Sequence, residues 1–234
     1  MSNETILLLI KFKLRGSLRF LSHAETLKVF QRACVRAGIK MQYSRGFNPR
    51  PKLSLPLPRS VGVESDDDLL CLRVNRDPNE PRPVRSKTAA SNGARVTDYE
   101  SRIKIGLSSQ LPRDCELLSV DAAEANVSFQ PGSATYILPV RREYLNDKLK
   151  TTIKRLLASE SLNLQRRIDA KNSKFKNLDV RPFLKSIELD DKGIVVECRI
   201  SSAGTIRVDE ILKLLELDAE KLTAPIRRTN VKWS

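Results

Sequence analysis

Apolar and polar residues alternate near the start of the chain. Ile10, Phe12 and Leu14 interleave with Lys11, Lys13 and Arg15, which predicts a strand with one buried and one basic face. Gly16-Ser17 turns the chain. The spacing then changes to that of a helix: Leu27, Phe30, Cys34 and Ala37 form an apolar stripe. Ser22-x-x-Glu25 reads as a capping box at its start, and Gly38 as its C-cap. A proline-rich loop around Phe47–Pro58 and a strand near Leu69–Val74 follow. Asn75–Ala94 carries Asp-Pro, Glu-Pro and Arg-Pro with almost no large apolar residue, so residues 75–96 read as a flexible insertion. A second capping box, Thr97-x-x-Glu100, opens a helix through Leu111, and a strand near Glu116–Val120 closes this half.

The order then repeats. Ala134–Val140 is a strand, and Glu143–Ser159 a helix turning Leu145, Leu149, Ile153, Leu156 and Leu157 inward. Leu164–Asp169 is a strand. Ile187–Leu189 and Ile194–Ile200 form a hairpin around Asp190–Gly193. Val208–Leu217 is a helix and Ile226–Val231 the last strand. The expected class is α+β, with two tandem ferredoxin-like (βαββαβ) halves over residues 1–120 and 121–234. The halves share element order, with no clear sequence self-similarity.

Composition adds a direction. The 234 residues are 40% hydrophobic and 30% charged, an ordinary globular balance. The net charge is +14, and residues 1–60 hold 12 Lys and Arg against 2 Asp and Glu. Such clustering favours a polyanion, with nucleic acid first and a ribosomal or anionic-membrane surface second. The apolar run Ile6–Ile10 is too short for a membrane span, so no membrane partner is expected. The four cysteines, Cys34, Cys71, Cys115 and Cys198, are isolated, with no C-x-x-C pair. That pattern fits a reducing, cytoplasmic setting and gives no metal site.

Candidate binding residues cluster early. The loop Tyr43–Lys52 offers Arg45, Arg50 and Lys52 for phosphates, Tyr43 and Phe47 as stacking faces, and Asn48 as a polar contact. Gly46 permits close backbone approach, and Pro49 and Pro51 stiffen the loop. Lys28, Arg32 and Arg36 share a helix face and extend the surface. Arg19 and His23 flank the helix start. Arg166, Arg167, Lys171, Lys174 and Lys176 form a second basic stretch on a hairpin-like segment. Asp66-Asp67-Asp68 reads as a turn.

His23 is the only side chain suited to acid–base chemistry near neutral pH. Paired with Lys52 or Arg50, it would serve a metal-independent endoribonuclease. Without a visible partner it reads better as a binding residue. No Walker loop, dinucleotide fingerprint, H-E-x-x-H or G-x-S-x-G is present.

Several blocks resemble the radical-SAM-linked protein family, a bacterial domain of unknown function usually attached after a radical-SAM enzyme. They are Gly16-Ser-Leu-Arg-Phe-Leu-Ser-His23, Arg32-Ala33, Tyr43-Ser-Arg-Gly-Phe-Asn-Pro49, Pro51-Lys52 and Gly62-Val-Glu-Ser65. Ala134-Thr-Tyr136, Asp179-Val-Arg-Pro182 and Arg228-Thr229 are similar too. Two positions depart: Arg50 stands where the family has a second histidine, and Ala24-Glu25 where it has Leu-Asp. The missing histidine weakens two-histidine chemistry. The resemblance implies a detached accessory domain with a radical-SAM protein as partner. S-adenosylmethionine and an iron–sulfur cluster would belong to that partner, because this chain has no C-x-x-x-C-x-x-C. The tandem order with an early histidine also resembles the CRISPR repeat-processing endoribonucleases, though without their glycine-rich terminal loop. The leading expectation is an RNA-binding accessory module with no cofactor of its own. The alternatives are the endoribonuclease and a protein–protein adaptor.

Overall fold

The computed structural model describes residues 5–75, 98–167, 175–190 and 193–233 of a mixed α+β protein. It divides into two units, Met1–Gln130 and Pro131–Ser234. The division falls beyond the expected boundary at residue 120, because the last strand of the first unit runs to Glu124.

The first unit contains β1 (Thr5–Leu14), a 3₁₀ turn (Gly16–Phe20), α1 (His23–Arg36), β2 (Leu53–Ser54), β3 (Glu64–Asn75), α2 (Asp98–Ser108) and β4 (Cys115–Glu124). β1 lies antiparallel between β4 and β3, and β2 pairs with the outer side of β3, giving the order β4-β1-β3-β2. The period-two pattern of β1 aims Ile6, Leu8, Ile10, Phe12 and Leu14 into one core with Phe30, Ala33 and Cys34 of α1 and Leu107 of α2. The Phe12 and Phe30 rings meet edge-on, 4.7 Å between centroids. The opposite face is basic only from Lys11 onward, because Leu7 and Leu9 are buried as well.

Helix α1 starts and stops by local rules. Ser22 caps it, and the N–H groups of Gly38 and Ile39 return to the carbonyls of Val35 (3.1 Å) and Cys34 (3.0 Å). The C-cap is Ala37, and Gly38 follows it at φ +70°, a left-handed conformation natural to glycine. Asp66, Asp67 and Asp68 do not form a turn: they lie inside β3. Cations decide this. Lys11 and Arg15 stand 3.2 and 2.6 Å from Asp67 and Asp66, and Arg59 stands 3.8 Å from Asp68. The expected insertion beyond Asn75 and the Thr97 cap lie outside the described residues.

The second unit contains β5 (Pro131–Leu138), α3 (Asp147–Ala158), β6 (Asn163–Arg167), β7 (Phe175–Asp179), β8 (Leu184–Asp190), β9 (Gly193–Arg199), α4 (Val208–Leu214) and β10 (Arg227–Trp233). Its main antiparallel order is β10-β5-β9-β8. The predicted strand at Leu164–Asp169 stays out of that sheet. As β6 it pairs with β7 alone, and its polar Asn-Leu-Gln-Arg-Arg sequence has no apolar face to bury. Helix α3 begins at Asp147, where the Asn146 side chain accepts from Leu149 N–H (3.1 Å), and Leu149, Ile153 and Leu156 are buried. Arg181 closes its other end by donating to the carbonyls of Leu157 (2.8 Å), Ser159 (2.9 Å) and Leu184 (2.9 Å). Among the described residues no helix is long and apolar enough to cross a membrane.

Candidate nucleic-acid interface

The loop Tyr43–Lys52 stands on a hydrogen-bonded base. Gln42 N–H donates to Arg73 O (2.8 Å), Arg73 N–H to Lys52 O (2.9 Å) and Lys52 N–H to Gln42 O (2.7 Å). Above this, Tyr43 and Pro51 form a bridge, Ser44 N–H donates to Arg50 O (2.8 Å), and Arg50 N–H donates to Ser44 Oγ (2.9 Å). The tip is therefore held at its foot and bare at its end. Phe47 is fully exposed, at 106% of its reference area, and Tyr43 at 43%. Gly46 sits at φ +130°, where a side chain would be strained. Arg45, Asn48, Arg50 and Lys52 are exposed. The alternative expectation, a rigid solvated loop with Phe47 tucked into the core, fails on the ring, which is outside the core.

The start of α1 is a different construction. Ser22 N–H donates to Glu25 Oε2 (2.8 Å), and Glu25 N–H donates to Ser22 Oγ (3.3 Å). The Ser22 hydroxyl and N–H hold the Glu25 carboxyl below its usual range. His23 is exposed at the first helical position. Arg19 donates to Gly16 O (2.8 Å) and lies 4.3 Å from the centroid of the exposed Phe20 ring. Gly62 N–H donates to Arg19 O (2.8 Å), and Gly16 N–H to Glu64 Oε1 (3.0 Å). The blocks Gly16–His23 and Gly62–Ser65 thus meet in space. A Cβ at Gly16 would stand 2.2 Å from Asp114 Oδ2.

Arg59 organises this end, and sequence reading passed over it. Its guanidinium donates to the carbonyls of Arg19 (2.7 Å), Val63, Leu18 (3.4 Å) and Leu21 (3.4 Å). A single arginine between Pro58 and Ser60 carries no periodic signal. The only hint was the nearby acidic run that supplies Asp68.

The two constructions are adjacent in sequence and distant in space. Ser65 pairs with Leu14 at one end of the β1–β3 ladder, and Arg73 pairs with Leu7 at the other. Seven residues of strand separate Leu7 from Leu14, a span of roughly 23 Å. The pairing of His23 with Lys52 or Arg50 therefore does not form, since Lys52 is fixed to Arg73 and His23 follows the turn bound to Gly62. Along α1, Lys28 and Arg32 are exposed, while Arg36 is fastened to Gln110 by bonds of 3.2 and 2.7 Å.

The second basic stretch divides as well. Arg166 faces inward and grips Glu210 with two bonds, Nε to Oε1 (2.7 Å) and Nη2 to Oε2 (2.6 Å), and also donates to Thr205 O (2.8 Å). Burial pushes the Glu210 carboxyl up, but the bonds from Arg166 and from Arg207 N–H outweigh it and leave the group below its usual range. Arg167 and Lys176 are exposed. Lys171 and Lys174 lie outside the described residues.

Reactive groups are scarce. Among the described residues no three His, Cys, Asp or Glu gather as a metal site. All four thiols are buried, and burial pushes Cys34, Cys115 and Cys198 up to about 12 and Cys71 to about 11. None is a thiolate near neutral pH.

A family model described as an uncharacterized protein conserved in bacteria (DUF2344) matches residues 8–101 and 96–210. The chain belongs to this family. The match takes in the Tyr43–Lys52 loop, the start of α1 and the Arg166–Glu210 pair. No curated protein matches the chain.

Proposed function

We infer that this chain is an RNA-binding accessory module that presents RNA to a separate radical-SAM modification enzyme. One observation carries the RNA part: Phe47 stands bare at the tip of a base-stapled loop, flanked by the exposed cations Arg45 and Arg50. An aromatic face stacks on an unpaired base, and flanking guanidiniums hold the backbone phosphates. Fixing the loop beforehand lowers the ordering cost of binding. The local excess of positive charge supports the same partner.

The fold reading is compatible with this role. We take each unit as ferredoxin-like, because the orders β4-β1-β3-β2 and β10-β5-β9-β8 both run fourth, first, third, second, with a helix after the first and third strands. The β6–β7 hairpin is then an insertion in the second unit. The radical-SAM partner rests on the resemblance of the Gly16–His23 block. Exposed Phe20 and Val61 beside that block favour a protein contact there, leaving the loop end for RNA.

The test is the affinity of the full chain for total tRNA, measured against salt. Several phosphate contacts require a steep negative log–log slope. Absence of binding to tRNA and rRNA at low salt would sink the reading.

A further inference from the structure

At the foot of the Tyr43–Lys52 loop, the first unit has a cavity of about 440 Å³. This lies within the size range of small-ligand sites. Its wall includes the apolar side chains of Leu7 and Cys71, from β1 and β3, and residues Leu53 and Ser54 of β2. The segment after β4 supplies Phe129, the one aromatic ring of the lining among the described residues. Two cations stand on the wall, Lys52 and Arg73, whose backbones are joined by the 2.9 Å bond from Arg73 N–H to Lys52 O. Among the described residues no carboxylate lines the cavity.

Arg73 is the informative residue. It is half-buried, yet its guanidinium makes no hydrogen bond or ion pair among the described residues. Every other partly buried arginine discussed above is matched: Arg59 by carbonyls and Asp68, Arg166 by Glu210, and Arg181 by three carbonyls. A partly desolvated cation without an anion is costly, and a bound phosphate offsets that cost. An apolar wall with one ring suits a planar base, and the Ser54 hydroxyl and Asn126 amide can meet its polar edge. Burial pushes the Cys71 thiol up to about 11, against the opposing field of Arg73, so Cys71 is not a thiolate near neutral pH.

We propose that this cavity takes one unpaired nucleotide of the bound RNA, its base against Phe129 and its phosphate between Lys52 and Arg73. The proposal rests on the RNA reading above. It separates two tasks: Phe47 and Arg45 hold the strand at the loop tip, and the cavity selects a nucleotide at the loop foot.

The experiment uses the full chain and a short single-stranded RNA made abasic at each position in turn. With the wild type, one abasic position should weaken binding about tenfold. Arg73→Gln keeps the β3 ladder and should lower affinity for the intact RNA about tenfold. Ser54→Trp fills the cavity and should erase the abasic effect; matching melting curves verify that both variants fold. If both variants bind like the wild type while Arg45→Ala weakens binding, the cavity proposal is overturned and the RNA reading stands. The cavity proposal is likewise overturned if no abasic position matters. If the wild type binds no RNA at low salt, both fall together.

Discussion

Arg59 and Asp68 form a buried ion pair, 3.8 Å apart, with each side chain only 5% exposed. Asp68 also accepts from the Ser65 hydroxyl, and Arg59 donates to the Arg19 and Leu21 carbonyls just ahead of the helix. The pair fastens the turn that carries Arg19 and His23 to strand β3. Removing Arg59 takes a buried cation away from Asp68 and one donor away from the Arg19, Val63, Leu18 and Leu21 carbonyls. Arg59→Met should cost about 3–5 kcal/mol in chemical denaturation. Arg59→Lys should recover little, because an ammonium cannot reproduce the planar fork. A loss below about 1 kcal/mol would mean the pair does not hold this end together.

Phe47→Ala separates binding from folding. The ring touches solvent on all sides, so stability should stay within about 0.5 kcal/mol of wild type. RNA affinity should fall by about 1–3 kcal/mol, the range for losing one stacked base. Fluorescence anisotropy with a labelled single strand, alongside a urea melt, reads both. An unchanged affinity would remove Phe47 from the interface.

The Arg166–Glu210 pair should mark the acid limb of stability. Because the folded Glu210 titrates below its usual value of 4.5, its contribution is complete above that value. It is lost as pH falls through the lower folded value. Glu210→Gln should therefore be less stable than wild type at pH 7, and the gap should close under acid. Urea midpoints from pH 7 down to pH 3 measure it. A gap that widens in acid would contradict the assignment.

The four thiols should be silent in the native protein. With Cys34, Cys115 and Cys198 pushed up to about 12, Ellman's reagent at pH 8 should register almost nothing before unfolding and four equivalents after it. Cys71, at about 11 and on the cavity wall, should be the first to react under mild denaturant. Rapid native labelling of Cys34 would show that the α1 core opens readily.

Sequence patterns located α1 closely, because its signals are local: Ser22 and Glu25 are three residues apart, and Gly38 follows the last turn. The same patterns failed at Asp66–Asp68, where turn propensity gave way to three cations brought in by tertiary structure. They failed for β6 because a strand's sequence does not name its partner. They also missed Arg59 and Arg73. One is an isolated loop arginine and the other an outward strand position, and neither differs in sequence from an ordinary surface charge.

By itself, the sequence determined where the helices and most of the strands form, where charge concentrates, and that the loop would be short and stiff. These properties depend on neighbours within a few residues, through periodicity, caps and fixed φ. Tertiary structure decided how the charges are used. Arg36 is tied to Gln110 across 74 residues of chain at the surface, and Arg166 is drawn inward by Glu210 across 44. Arg45 and Phe47 remain outward, Arg73 is left beside a cavity, and His23 lies a strand's length from Lys52. Which side chains meet across such distances follows from sheet register and packing, which no local pattern encodes.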